Sequence, residues 1–379
     1  MAPIIEAFAE VASALGQLFA ALPQARLVGG CVRDALAGQA VADFDFATPD
    51  PPDAVITALT DAGLRAIPTG LDHGTVTALV DGRGFEVTTL RRDVVTDGRH
   101  AQVAWTTDWQ EDAARRDFTI NAMSMSADGA LYDYFGGQQD LRDGRARFVG
   151  DAAARVAEDY LRILRFFRFQ ARYGHGDPDP AALAAITAGV PGIARLSVER
   201  VWSELKRILA APDPADALSL MARLGVLAAV VPEGADPTRV VSLPPDPVLR
   251  MAALLTGDPV AFAVRLKLSA AEAERLAALR GPPPDGDDDD LRRALADTPL
   301  EILDGRSWLA RQPPAMRARL AALPRPVFPL EGRDVVALGV PPGPRVGALL
   351  RQVRGWWLAG GCLASPADCR AELARLATS

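Results

Sequence analysis

The stretch LVGGCVRDALAGQAVADFDFATPD, residues 27–50, sets the reading of this chain. Ala25–Val28 is a short strand-like run that ends in Gly29-Gly30. Residues 31–38, CVRDALAG, follow as a helix stopped by Gly38. Glycines at a strand-to-helix turn let backbone N–H groups come close to an anion, and a helix N-terminus favours negative charge. Arg33, in the first turn, reaches the same anion. Asp43-Phe44-Asp45 begins nine residues after Asp34. On a strand, positions i and i+2 share a face, so the two carboxylates project together. They repel each other unless a cation sits between them. A lone D-x-D also suits a surface turn; the preceding G-G-x-V-R-D makes this one informative.

Two Mg²⁺ ions held by such a pair are the arrangement used in nucleotidyl transfer, one activating the attacking oxygen and the other steadying the leaving group. A third carboxylate is expected from a neighbouring strand, and Glu86 in FEVTTLRRD is the candidate. An acid among Val and Thr in a strand is costly unless paired, metal-bound or exposed at an edge. Asp81 sits with Gly82 in a turn and is a poorer choice. Next comes RRDFTINAM, residues 115–123. Arg116 suits a triphosphate, and Asp117 suits ribose hydroxyls. If a helix starts here, Asp117 and Asn121 share a face; the alternative is Asp117 as a plain N-cap. The third stretch is EDYLRILRFFRFQARYG, residues 158–174. On one continuous helix of about 100° per residue, Tyr160, Ile163, Leu164 and Phe167 form the buried arc. Asp159, Arg162, Arg165 and Arg168 then run as a separate stripe. This is either a salt-bridged surface or a surplus of positive charge for a triphosphate or RNA backbone.

The wider sequence sets bounds. With 379 residues, two to four domains are expected. Residues 25–150 read as a small mixed α/β domain, with strands at Phe44–Ala47, Thr75–Val80 and Phe85–Thr89 and a helix at Pro52–Ala62. From Ala152 the pattern is helical: Ala152–Tyr173, Pro180–Gly189, Ser197–Ala210, Asp213–Leu224 and Pro247–Thr256. GPPPDGDDDD at 281–290 reads as an exposed linker. The overall class is therefore α/β plus all-α. No run of 18 or more apolar residues suggests a transmembrane helix. MAPIIEAFAE, with no basic residue before Arg26, does not read as a secretory signal. Cys31, Cys362 and Cys369 form neither a disulfide framework nor a zinc pattern, so a reducing, cytoplasmic setting is expected. Net charge is −7, yet residues 304–379 carry 11 Arg and no Lys against 5 acids. That basic tail is a candidate phosphate-binding surface on an acidic chain, or a solvated helical face.

These motifs, in this order, resemble the class II tRNA nucleotidyltransferase/poly(A) polymerase family. The resemblance rests on G-G-x-V-R-D…D-x-D, on R-R-D-F-T-x-N-A and on E-D-x-x-R. LSVERVWSELKRIL at 196–209 is similar to a following motif that braces the neck. LEGRDVVALGVPPGPRVGALLRQVRGWWLAGG at 330–361 is similar to the tail of bacterial members. The resemblance is weakest across 212–300. It implies a nucleotidyltransferase head at 1–150, a base-recognising neck at 151–211, a helical body at 212–300 and an Arg-rich, tRNA-binding tail at 301–379. It implies that Asp43, Asp45 and Glu86 hold two Mg²⁺ ions. Gly29, Gly30, Arg33 and Arg116 would contact phosphate. Asp159 and Arg162 would read the base, oriented by Glu158, and Arg165 and Arg168 would meet the incoming nucleotide. Asp117 and Asn121 complete the nucleotide set. The implied reaction adds C, C and A from CTP and ATP to the tRNA 3′ end. TDGRHAQVAWTTDWQED at 96–112 looks like the loop that switches from C to A. Poly(A) polymerase and partial CC- or A-adding activity share this machinery, and a non-catalytic tRNA-binding protein is the reading from another class. No protein partner and no fused His-Asp phosphohydrolase are expected.

Overall fold

Nine short strands and a long series of helices make up the chain in a computed structural model that describes residues 8–96 and 101–378. Two compact units divide at Thr238/Arg239.

The first unit starts with helix α1 (Ala12–Ala21), β1 (Arg26–Val28), α2 (Gly30–Leu36), β2 (Asp45–Thr48) and α3 (Pro52–Asp61). Then come β3 (Arg65–Gly70), β4 (Thr75–Val80), β5 (Arg83–Thr89), β6 (Arg91–Thr96), β7 (Ala101–Trp105), α4 (Trp109–Ala114), β8 (Met123–Met125) and β9 (Leu131–Asp133). Seven strands form one sheet in the order β3-β4-β5-β2-β1-β8-β9, while β6 and β7 pair separately. Only β2 and β5 run parallel, so the sheet is mixed, as the sequence suggested. Alternation is clean in β4, where Val76, Ala78 and Val80 are buried on the core face. Phe44, Phe46 and Phe85 pack in the same core with α1 residues Leu15 and Leu18. The burial of Phe44 and Phe46 leaves their odd-numbered neighbours, Asp43 and Asp45, exposed on the other face.

Helices take over after α5 (Gly137–Arg142): α6 (Ala152–Glu158), α7 (Leu161–Tyr173), α8 (Pro180–Gly189), α9 (Val198–Leu209), α10 (Ala215–Arg223) and α11 (Val226–Val230). The expected continuous helix over Ala152–Tyr173 is in fact two, broken at Asp159 (φ −152°, ψ 108°). The reason is local. The Asp159 Oδ1 accepts from Leu161 N at 3.0 Å, the kind of side chain-to-backbone bond that competes with a helix. Tyr160 is thereby removed from the expected buried arc and is only half-buried, beside Gly192. Leu161, Phe166 and Phe169 join Ile163, Leu164 and Phe167 in the core instead. The stretch 96–112 is likewise not one loop. β7 and α4 occupy most of it, and residues 97–100 lie outside the described residues.

Among the described residues of the second unit the regular elements are helices, from Pro247–Leu254 to Pro366–Thr378. One apolar cluster joins Leu291, Leu295, Leu303 and Leu320; another joins Val335, Leu349, Val353, Trp357 and Leu373. Within GPPPDGDDDD, the acids turn out to start a helix. Asp287 caps Asp288–Asp297, reciprocated by Asp290, and the acidic first turn complements the helix dipole. No helix among the described residues is long and apolar enough to cross a membrane.

Candidate active site

Gly29 stands at the N-cap of α2 with φ 71°, a conformation that favours glycine. A Cβ there would come within 3.0 Å of an Arg116 Nη1. Backbone and guanidinium therefore face one space, lined also by Gly30, Arg33, Asp43, Asp45, Asp117, Asn121, Asp159, Arg162, Arg165 and Arg168. The cavity measures about 690 Å³ and lies wholly within the first unit. Twelve of the fourteen residues singled out in the sequence line it. Glu86 and Glu158 do not.

The carboxylates gather at β2 and β5, neighbours inside the sheet. Asp45 begins β2 and is the register partner of Glu86 on parallel β5. Desolvation, and next the Glu86 carboxylate, push the Asp45 pKa up; Arg116 pulls it down and Asp43 raises it again. Three acids close enough to disturb one another suit a hard divalent cation, for which carboxylate oxygens are the natural donors. Among the described residues, however, no three acid, His or Cys side chains converge on one point. Asp43 and Asp45 face the large cavity. Glu86 instead opens with Asp45, His73, Thr75 and Thr88 on a neighbouring one of about 360 Å³. The donor set fits a cation at Asp43 and Asp45, with Glu86 alongside rather than opposite.

The arginine wall is held by acids behind it. Asp112 is buried and accepts from Arg115 Nε at 2.8 Å and from Arg116 Nη2 at 3.2 Å. Burial alone would raise the Asp112 carboxyl; Arg116 and Arg115 hold it below the usual range. Asp117, 9% exposed, is fully engaged by protein donors. Its Oδ1 accepts from Phe118 N at 2.9 Å and Asn121 Nδ2 at 3.0 Å, and its Oδ2 from Arg165 Nε at 2.6 Å. Asn121 Oδ1 in turn accepts from Arg33 Nη1 at 2.5 Å. Asp117 and Asn121 do come together through their side-chain bond, but no α-helix starts here: Asn121 ends a 3₁₀ turn, Thr119–Asn121, with Phe118 at its N-cap and Asp117 one residue ahead of it.

Asp159 and Arg162 meet through the backbone, Arg162 N donating to Asp159 O at 3.0 Å, but their side chains take other partners. Asp159 Oδ2 accepts from Arg200 Nη2 at 2.6 Å, while Arg162 Nη1 donates to Glu158 and to Arg155 O at 2.9 Å. Deeper in, Arg168 Nη1 donates to Glu204 Oε1 at 3.0 Å, an oxygen shared with Arg207 at 3.2 Å. Burial pushes the Arg168 guanidinium down to about 10 despite that carboxylate. Arg115, Arg200 and Arg207 also line the cavity, and none of them was singled out from the sequence. The signal was present: Arg200 and Arg207 lie two turns apart on α9, with Glu204 between them.

Glycine-fronted helix, paired carboxylates on a mixed sheet and a wall of arginines define the class, a nucleotidyltransferase. Residues 25–147 match the Poly A polymerase head domain, and residues 177–236 match the probable RNA and SrmB-binding site of polymerase A. The mitochondrial CCA tRNA nucleotidyltransferase 1 of Mus musculus is 38% identical over 93% of this chain and 87% of its own length. Its Homo sapiens counterpart is 38% identical over 89% and 83%. The crystal structure of the Bacillus stearothermophilus CCA-adding enzyme in complex with CTP superposes with a TM-score of 0.77 at 28% identity, covering 98% of this chain and 97% of that one. The chain belongs to the CCA tRNA nucleotidyltransferase family, and it is an enzyme.

Proposed function

We propose that this chain adds C, C and A, taken from CTP and ATP, to the 3′ end of tRNA and releases pyrophosphate. The observation that carries this reading is the single cavity on which the paired carboxylates, the glycine turn and eight arginines open. Asp43 and Asp45 would hold the divalent cation, Mg²⁺ in our reading, with Glu86 as a third, neighbouring carboxylate. Such a cation, when bound, neutralises charge on the α-phosphate and lowers the pKa of the attacking hydroxyl. Gly30 offers its backbone N–H to the triphosphate, while the N–H of Gly29 donates to Met123 O at 3.3 Å and Gly29 serves by turning the chain; Arg33 and Arg116 offer forked donors. Asp117 and Asn121 hold Arg165 and Arg33 in place; a contact from Asp117 to ribose would require Arg165 to yield one oxygen. Arg165 and Arg168 meet the nucleotide.

Asp159 and Arg162 read the base. Cytosine and adenine both present an amino donor beside a ring-nitrogen acceptor, which a carboxylate and a guanidinium match; uracil and guanine do not. The functional division follows the order head 1–150, neck 151–211, body 212–300 and tail 301–379, the tail meeting the tRNA. The three cysteines are free thiols in the structure, which is compatible with a reducing, cytoplasmic setting. A second reading, poly(A) polymerase, is favoured by the matches of residues 25–147 to the Poly A polymerase head domain and of residues 177–236 to the probable RNA and SrmB-binding site of polymerase A.

The test is Asp45→Asn. Nucleotide addition should fall on the order of 10³-fold, the several kcal/mol expected for losing a metal-holding carboxylate. CTP bound without cation should hold as tightly as before or tighter. Full activity in this variant would remove Asp45 from the chemistry.

A further inference from the structure

Arg155 belongs to none of the motif positions that carry the proposed chemistry, yet it touches three of them, Arg116, Glu158 and Arg162. It lies on α6 and is 8% exposed. One arm of its guanidinium, Nη1, donates to Glu158 Oε2 at 2.6 Å. The other, Nη2, donates to the backbone carbonyls of Arg115 and of Arg116, the latter at 2.5 Å. Glu158 Oε2 also accepts from Arg162, and Arg162 donates back to the carbonyl of Arg155. A closed circuit results. It runs from the peptide that carries the cavity arginines Arg115 and Arg116, through Arg155, to the carboxylate that aims Arg162.

A planar guanidinium is suited to this. Its donors form a rigid fork, so fixing one arm fixes the direction of the other. A buried cation with carbonyls on one arm and a carboxylate on the other cannot shift alone without leaving a charge unpaired. A displacement of Arg162 toward a base is thus tied to the placement of the 115–116 backbone, just ahead of the turn that carries Asn121.

We propose that Arg155 is a positioning residue that couples base reading at Arg162 to phosphate holding at Arg116, so that a nucleotide with the wrong base is also held badly at its phosphates. This rests on the proposed function above. Arg155 touches no substrate itself; it acts through Glu158 and the 115–116 backbone.

The test compares kcat/KM for CTP and for UTP on tRNA, in the wild type, Arg155→Lys, Glu158→Gln and the double variant, with Tm measured on each. Lysine keeps the charge but cannot serve both arms. The CTP-over-UTP preference of Arg155→Lys should fall about tenfold, the worth of one misplaced charge-assisted hydrogen bond. Adding Glu158→Gln should cost little more, because both break one circuit. If Arg155→Lys lowers Tm or rate for both nucleotides alike and leaves the preference intact, the residue merely supports the fold and the inference is wrong. Additive losses in the double variant would overturn it as well. Arg155→Met, which removes the charge at similar volume, carries the same comparison if lysine is not accommodated. A wild type with no preference for CTP over UTP would defeat the proposed function itself, and this inference with it.

Discussion

Asp117 and Asp45 illustrate how differently two aspartates of one site behave. Asp117 is surrounded by donors. Burial works against its charge, but Arg165 and the hydrogen bonds from Asn121, Arg165 and Phe118 N outweigh it, and the carboxyl is held below the usual range. A depressed carboxyl stabilises the fold above the unfolded value, about 3.9, and that contribution is lost as pH falls through the lower folded pKa. Arg165→Ala, which strands the buried charge, should cost about 3 kcal/mol at pH 7 and less as the pH drops below about 4. Thermal unfolding as a function of pH checks this; a variant as stable as wild type at pH 7 would contradict the clamp. Asp45 has the opposite sign. Its raised pKa makes the ionised form unfavourable in the fold above that pKa, a cost that fades as pH falls. Asp45→Asn should therefore be at least as stable as wild type while inactive. The sequence disclosed the candidate residues because glycine turns, paired acids and arginine stripes are local patterns. It did not disclose their partners. Glu158 is an exception, lying four residues before Arg162 at helical spacing; that Asp159 turns to Arg200 depends on where α9 lies beside α7, which no local spacing encodes.

Among the elements, the break between α6 and α7 matters most. The apolar rhythm runs through it without a gap, so periodicity alone predicts one helix; only Asp159 and the turn it builds interrupt it. β8 and β9 have three residues each, too short for alternation to show, and β3 carries Pro68 and Gly70, which argue against a strand. By contrast β4 and β5, with clean alternation, were legible. The break is braced from outside by the 3₁₀ segment Val190–Arg195. A Cβ on Gly192 would come within 2.2 Å of the Tyr160 ring, and one on Gly189 within 2.5 Å of Val156. Gly192→Ala should displace Tyr160, cost about 1–3 kcal/mol through overpacking, and weaken the preference for CTP and ATP over UTP and GTP. Denaturant unfolding together with misincorporation measurements checks both halves. Unchanged selectivity in a destabilised protein would mean that the break does not set the reading edge.

Across the chain as a whole, a mixed-sheet head followed by helices was legible because β-like alternation stops after the first 150 residues. The division at 238 was not, since no charge or proline cluster marks it more strongly than its neighbours. Charge distribution gives the second unit its expected role. Arg345 starts the helix Pro344–Ala359, and Arg351 lies exposed one further stretch along it. If this surface meets the tRNA backbone, Arg345→Glu with Arg351→Glu should raise the KM for tRNA and reduce the salt slope of binding by about 2, leaving CTP affinity unchanged. An unaltered salt slope would assign the tRNA contact elsewhere.

Product length decides whether this chain builds CCA. A tRNA transcript ending at the discriminator base is incubated with the protein, Mg²⁺ and each NTP singly, then with CTP and ATP together, and the products are resolved to single nucleotides. Growth by three nucleotides that then stops, and that requires both CTP and ATP, is the expected result. A long ladder from ATP alone, arrest after two additions from CTP with no response to ATP, or no extension at all would contradict it.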